Sequence, residues 1–458
     1  MKYNIGKINN IVLWLLLLFI VGGCKKYLDE KPSNGLDIPD KLIEFQGLLD
    51  RYNYLNFNDP GPDEVSADDY YLTNADWASQ SEDLRRLYTW EKDNLFPLLA
   101  SNWTVPYTIV YYANTVLNSI DNIKRESNNQ VEWDNIKGQA FFWRAKSFFQ
   151  VANIWAKQYD KMTATNDMGI PLRLNTDFNA VSTRASVEDT YQQIISDLKN
   201  AIPILALTPR HVMRPSKPAA TAMLARVYLS MGEYDSCLKY SNLTLQFKST
   251  LMNFNSSSDI NPAATFPFKQ FNAETVFYSI INTPSILNNS RAKVDSFLYQ
   301  SYDVNDLRKN IYFKNNNNGT FGFKGTYTEG IGLFTGVAID EVYLMSAECN
   351  ARLGKISEAL TLLNNLMITR WKSGTFQPFS ASSQGAALAL ILKERRKELL
   401  MRGIRWMDLK RLNKSGLNIV LKRVLNGQEY ILPPNDIRYV LPIPDDVVAL
   451  SGIPQNPR

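Results

Sequence analysis

Side chains able to do chemistry are unevenly supplied along the chain. Its one histidine, His211, stands in the proline-flanked loop TPRHVMRPS, where a solvated ring is the expectation. A Ser-His-Asp triad or a multi-histidine metal site would have to be assembled around that single residue, so neither is expected. Acids do cluster, in NFNDPGPDEVSADDYYLTNADWASQ (56–80), where Asp59, Asp63, Glu64, Asp68 and Asp69 carry the oxygen ligands that calcium favours. They lack the regular spacing of a calcium loop and are read as loop acids, with no metal ion and no cofactor. The same stretch interleaves acids with rings. Asp68, Asp69, Tyr70, Tyr71, Asn74 and Trp77 offer aromatic faces beside short polar groups, a combination suited to a binding surface that stacks on a ligand and hydrogen-bonds it. Trp103, close to Pro106 and Tyr107, is a second candidate contact, or else a staple at a helix start. Tyr302, Arg308, Tyr312 and Tyr327, within SYDVNDLRKNIYFKNNNNGTFGFKGTY, form a third set. With 9 Trp, 23 Tyr and 22 Phe, there are rings enough both for a core and for a surface that recognises by stacking.

Of the three cysteines, Cys24 has the most telling position. Residues 1–10 carry Lys2 and Lys7, and the apolar run Ile11–Val21 ends at Gly22-Gly23. That run falls well short of the roughly 20 residues a membrane-spanning helix needs. A basic start, a short apolar centre and a small-residue end describe a secretory leader, and cleavage after the glycines leaves Cys24 as the first residue. The segment resembles a bacterial lipobox, whose cysteine thiol is acylated, so 1–23 is read as a removed signal peptide and Cys24 as the lipid attachment point. Cys237 and Cys349 fall in helical patterns and are expected to be buried, unpaired thiols. The formal charge of +5 over 458 residues, lower by two once the leader is gone, is too small to argue for nucleic acid. At 45% hydrophobic and 21% charged, the chain is globular in composition.

Most of the chain reads as helix. In GQAFFWRAKSFFQVANIWAKQY, Phe141, Ala145, Phe148, Ala152 and Trp155 step by four and three along one face. Ser186 and Asp189 have the spacing of a capping box opening the next helix. LARVYLSMGEYDSCLKYSN (224–242) overlays SAECNARLGKISEALTLLNN (346–365), with Gly232 on Gly354 and Cys237 on Ala359. A glycine at the turn and small residues on both helices are how tetratricopeptide helix pairs pack closely. These units are dispersed, not tandem. Between helices the segment 252–340 contains TVFYSII and GTFGFKGTY, which predict a few strands. In ILKERRKELLMRGIRWMDLKRL (391–412) the acids Glu394, Glu398 and Asp408 alternate with arginines, which reads as a helix tied to the core by ion pairs, including Glu398–Arg402.

This last stretch resembles the C-terminal signature of the SusD/RagB family of outer-membrane nutrient-binding lipoproteins, through Glu394, Arg395, Glu398, Leu399, Gly403, Arg405, Trp406, Asp408, Leu409 and Arg411. Arg402 stands where the family usually has Glu. CKKYLDEKPS, the helix around Trp143, both repeat segments and YVLPIPDDVVALSGIPQNPR resemble further family passages in the same order. The resemblance implies a mostly α fold: dispersed tetratricopeptide-like pairs in a right-handed superhelical scaffold, a loop-rich face and a few short strands. It also implies an N-terminal region 24–220 packed with a C-terminal region 221–458. It implies a non-enzymatic, lipid-anchored protein of the outer membrane, facing the exterior, that binds a glycan and works with a SusC-like TonB-dependent transporter. Peptide capture, a tetratricopeptide interaction scaffold and a glycoside hydrolase are the alternatives.

Overall fold

The computed structural model describes residues 39–458; the leader 1–23 and Cys24 lie outside the described residues. Ten helices of eight or more residues run through the described part: α1 Leu42–Leu49, α2 Ser101–Ser119, α3 Gln130–Trp155, α4 Val187–Ile204, α5 Lys217–Met231, α6 Tyr234–Phe247, α7 Ile339–Arg352, α8 Ile356–Met367, α9 Gln384–Glu398 and α10 Arg405–Lys414. The protein is mostly helical, as the resemblance implied. The helix pairs form an array in which α2 packs on α3, α3 on α4, α4 on α5, α5 on α6, α6 on α7, and α7 on α8 and α9. The repeat units that are dispersed in the sequence are therefore neighbours in space. The chain leaves the array after α6, builds the segment 248–338, and returns at α7 against the helix it left.

Local chemistry explains the joints. Ser186 accepts from the Asp189 backbone N–H at 2.9 Å, satisfying one orphan donor at the start of α4, and its hydroxyl donates to the Asp189 carboxylate. Gly232 and Gly354 both take φ +78°, the left-handed region where a side chain is strained, and each turns one helix back onto the next. Cys237 and Ala359, paired by the sequence overlay, are both fully buried at the helix–helix seam, and Cys237 and Cys349 are free thiols. The 26 residues of α3 bury Trp133, Ile136, Phe142, Trp143, Phe148 and Ile154 on several sides, as befits a helix sandwiched between α2 and α4.

The strands are short and lie mainly in the segment between α6 and α7. Thr275–Phe277 (β2), Ile280–Ile281 (β3) and Phe321–Phe323 (β6) fall where the alternating pattern predicted them. One four-stranded antiparallel sheet joins Tyr70–Tyr71 (β1), Lys293–Val294 (β4), β6 and Phe313–Asn315 (β5) in the order β1-β4-β6-β5. This sheet clamps the loop 66–77 to the far segment. A hairpin, Leu421–Leu425 (β7) with Gln428–Leu432 (β8), covers Trp90, Trp406 and Tyr439 in a separate small core. The expected division at 220/221 falls inside α5, whose whole length is one continuous helix.

Candidate functional site

The third set of candidates belongs to the interior. Arg308 is fully buried, and its guanidinium donates to Asp306 at 2.9 and 2.7 Å, to Glu394 at 2.5 Å and to Glu398 at 2.9 Å. Arg370 continues the network, donating to Glu398 at 2.7 Å and to Glu274 at 2.8 Å. Tyr327 donates to Glu274 at 2.7 Å and Tyr302 to the Lys397 carbonyl at 2.7 Å, while Tyr312 packs against Phe254 and Phe268. Tyr302, Arg308, Tyr312 and Tyr327 are thus corrected from ligand contacts to core groups. Burial of four carboxylates demands partners that cannot turn to solvent. The expected Glu398–Arg402 pair is corrected too: Glu398 is taken by Arg308 and Arg370, and Arg402 instead donates to Asp340 at 3.1 Å. The guanidinium at this position thereby finds an acid from α7.

The loop 66–77 is split between inside and outside. Asp68 accepts two hydrogen bonds from Arg405 at 2.6 and 2.9 Å and pairs with Arg396 at 3.2 Å. Burial pushes its carboxyl up, but the two guanidiniums outweigh burial and hold it well below the ordinary carboxylate range. Asp69 is buried, and burial pushes it up to about 6 despite Arg396 and Arg405. Tyr70 is buried and donates to the Val65 carbonyl at 2.8 Å. Asp69 and Tyr70 are therefore corrected to structural residues, and Asp68 is committed to α9 and α10. Tyr71 and Trp77 are half-buried and Asn74 is exposed. Trp77 donates to the Arg85 carbonyl at 3.4 Å and carries the Arg85 guanidinium 5.4 Å from its ring centre, so one face is already occupied.

The remaining loop acids are internal as well. Asp59 pairs with Lys146 at 2.5 Å and accepts from Ser279 and Thr335, each at 2.6 Å. Asp63 is buried and burial pushes it up to about 7, against the hydrogen bond it accepts from the Glu64 backbone. Among the described residues no three His, Cys, Asp or Glu side chains are placed to hold a metal ion together. The Asp63 environment has a measurable consequence. An acid whose folded pKa lies above its unfolded value of 3.8 keeps a proton that the unfolded chain has lost, so it drains stability as pH rises from about 4 to about 7. Asp63→Asn is expected to remove that loss. Urea midpoints measured at pH 4.5 and 7.5 should show the variant gaining on wild type at the higher pH; equal differences at both would mean that Asp63 ionises normally.

A surface cavity of about 840 Å³ that holds the nominated Trp103 lies along α2. Trp103, Tyr107 and Tyr111 recur at four-residue steps, so they line one stripe of the helix at about 6 Å intervals. Trp103 forms the floor: it is only 6% exposed and packs edge-on against Trp155 at 5.1 Å and beside Tyr107 at 5.2 Å. Its mainly structural placement corrects it from a free contact to a base on which the others stand. Phe178, 77% exposed, lies over Tyr111 with ring centres 4.9 Å apart. Its loop is pinned by Arg173, which donates to the Asp177 and Ala180 carbonyls and to Ser182. The short helix Asp445–Ser451 supplies the opposite wall through Val447 and Leu450. Tyr107 donates to the Pro171 carbonyl at 2.9 Å and Tyr112 accepts from Arg51 at 2.8 Å, which fixes both rings. The Tyr111 hydroxyl has no hydrogen-bond partner among the described residues. Thr104, Thr108, Ser182 and Ser451 add hydroxyls, and no carboxylate lines the groove. Such a trough suits a neutral, ring-shaped, hydroxyl-rich ligand. Sequence reasoning found Trp103 but missed Tyr111 and Phe178; the four-residue ring spacing from Trp103 was the available signal for Tyr111.

His211 is exposed, with its Nδ1 accepting from the Met213 backbone at 3.2 Å and its ring against Phe271. Two family models match the chain: one described as starch-binding associating with outer membrane, over residues 26–229, and one described as SusD family, over residues 339–457. A curated relative, SusD-like protein P2 of Formosa agariphila, is 22% identical over 421 residues, covering 79% of this chain and 80% of that protein. A SusD superfamily protein from Bacteroides thetaiotaomicron superposes with a TM-score of 0.74 at 22% identity, covering 92% of this chain and 100% of that one. A laminarin-binding SusD-like protein superposes with a TM-score of 0.64 at 17% identity, covering 91% and 97%. These solved structures share the fold described above.

Proposed function

The chain belongs to the SusD/RagB family, and on that footing we propose that it captures an oligosaccharide in the groove along α2 and delivers it to a SusC-like TonB-dependent transporter. Family members are binding proteins associated with the outer membrane. Among the described residues no helix is long and apolar enough to cross a membrane, and acylation of Cys24 would supply the attachment. The observation that carries the reading is the groove itself: Tyr107, Tyr111 and Phe178 present ring faces beside hydroxyls. A glycoside hydrolase needs two carboxylates across its cleft, and this groove offers none.

Titration calorimetry of the purified mature protein with a panel of neutral oligosaccharides tests the proposal. Laminarin fragments come first, because one structural relative is described as binding laminarin. Saturable heat with at least one glycan is the expected result; silence across the panel, with heat from peptides, would transfer the groove to peptide capture. Trp77→Ala is expected to leave the affinity within about twofold, since that ring is half-covered by Arg85. A tenfold loss would move the site to the loop 66–77.

A further inference from the structure

A second cavity, of about 500 Å³, opens at the C-terminal end of α3 and shares no lining residue with the groove. Its volume is within the range of small-ligand sites. Lys410, on α10, is 5% exposed and lines it. Its ammonium donates to the Asn153 carbonyl at 2.7 Å and the Ala156 carbonyl at 2.8 Å, the last turn of α3. An ammonium has three N–H groups; among the described residues the third has no partner, and no carboxylate pairs with this lysine. The helix end offers roughly half a negative charge, so part of the buried positive charge is uncompensated.

The other charges at this cavity are all committed. Lys157 pairs with Asp167 at 2.5 Å, Lys414 pairs with Asp160, and Asp436 accepts from Arg438 on both oxygens. One buried cation is thus left over, facing a cavity whose walls also carry Thr163 and Asn166. We propose that this cavity is a second binding site, selective for an anionic sugar whose carboxylate or sulfate ester accepts from Lys410 while its ring hydroxyls meet Thr163 and Asn166. Burial pushes Lys410 down to about 7, the direction an unanswered charge takes, with only Asp63 acting to raise it.

Calorimetry with glucuronate, glucose 6-sulfate and glucose tests the site. At least one anion is expected to bind, and glucose at least tenfold more weakly; which anion binds decides between carboxylate and sulfate. Ile437→Trp, at a rim position that is 51% exposed, should fill the mouth and weaken anion binding at least tenfold with an unchanged melting temperature. Lys410→Met should abolish the preference for the anion; if that variant fails to fold, Ile437→Trp alone decides. Equal binding of all three sugars, no binding of either anion, or an Ile437→Trp variant that binds like wild type would overturn the proposal. Binding of neutral oligosaccharide by Ile437→Trp is measured in parallel, so a failure of the α2 groove is read separately.

Discussion

Arg308→Leu is expected to destabilise the folded protein by about 3–5 kcal/mol, the cost of leaving buried carboxylates without their cation. Asp306, Glu394 and Glu398 all converge on this guanidinium. Lys397 also reaches Asp306 and Glu394, each at 3.0 Å, but Glu398 would retain only Arg370. The loss is read as a lower urea midpoint. Arg396→Ala, on the helix α9 that carries Glu394 and Glu398, serves as the contrast, because Arg396 is partly solvated and is expected to matter by about 1 kcal/mol or less. A fall below 1 kcal/mol for Arg308→Leu would mean that water or rearrangement rescues the acids. Replacing Arg308, Asp306 and Glu398 together by apolar residues of similar volume should recover part of the loss, since the penalty comes from orphaned charge and not from missing attraction.

The second large effect concerns binding. Tyr111→Ala combined with Phe178→Ala is expected to weaken oligosaccharide binding by roughly 30-fold or more, on the order of 2 kcal/mol for two lost ring faces. The melting temperature should stay within about one degree, because Phe178 is exposed and the half-buried Tyr111 lies at the groove surface, outside the core. An unchanged affinity would remove the groove from the recognition surface. Trp103→Ala would not serve in its place. Its ring is wedged against Trp155, so truncation opens a core cavity costing about 3–5 kcal/mol, and lost binding would merely report lost structure.

The helical scaffold was legible because its signals are local. Glycine at the turn of each helix pair, a capping serine and apolar steps of three and four act within a few residues, and the structure honours each at Gly232, Gly354, Ser186 and Phe148. The charged stretch 391–412 was also readable as a helix tied to the core. Its partners were not, because Glu398 chooses between Arg402 four residues away and Arg308 ninety positions back, and desolvation makes that choice. The candidate site was harder still. An aromatic loop residue has the same letter whether it packs against a ligand or against Phe268, and Tyr312 and Tyr327 do the latter. Phe178 and Leu450 reach the groove from separate parts of the chain. Their convergence is tertiary, and no spacing encodes it.

The return of the chain to its departure point bears on how such a protein can diversify. Segment 248–338 leaves and rejoins the array where α6 packs on α7, so its two ends stay close whatever lies between them. Doubling a flexible loop between fixed ends costs only about 0.6 kcal/mol in closure entropy. Length is therefore cheap only in the stretches between its anchors, where Glu274 meets Arg370, Asp306 meets Lys397, Arg308 meets Glu394 and Glu398, and Phe277 packs on Phe142 and Trp143. Ionic dowels and buried rings hold the segment at those anchors, so the exposed loops between them can be rewritten while the helices beneath keep their packing.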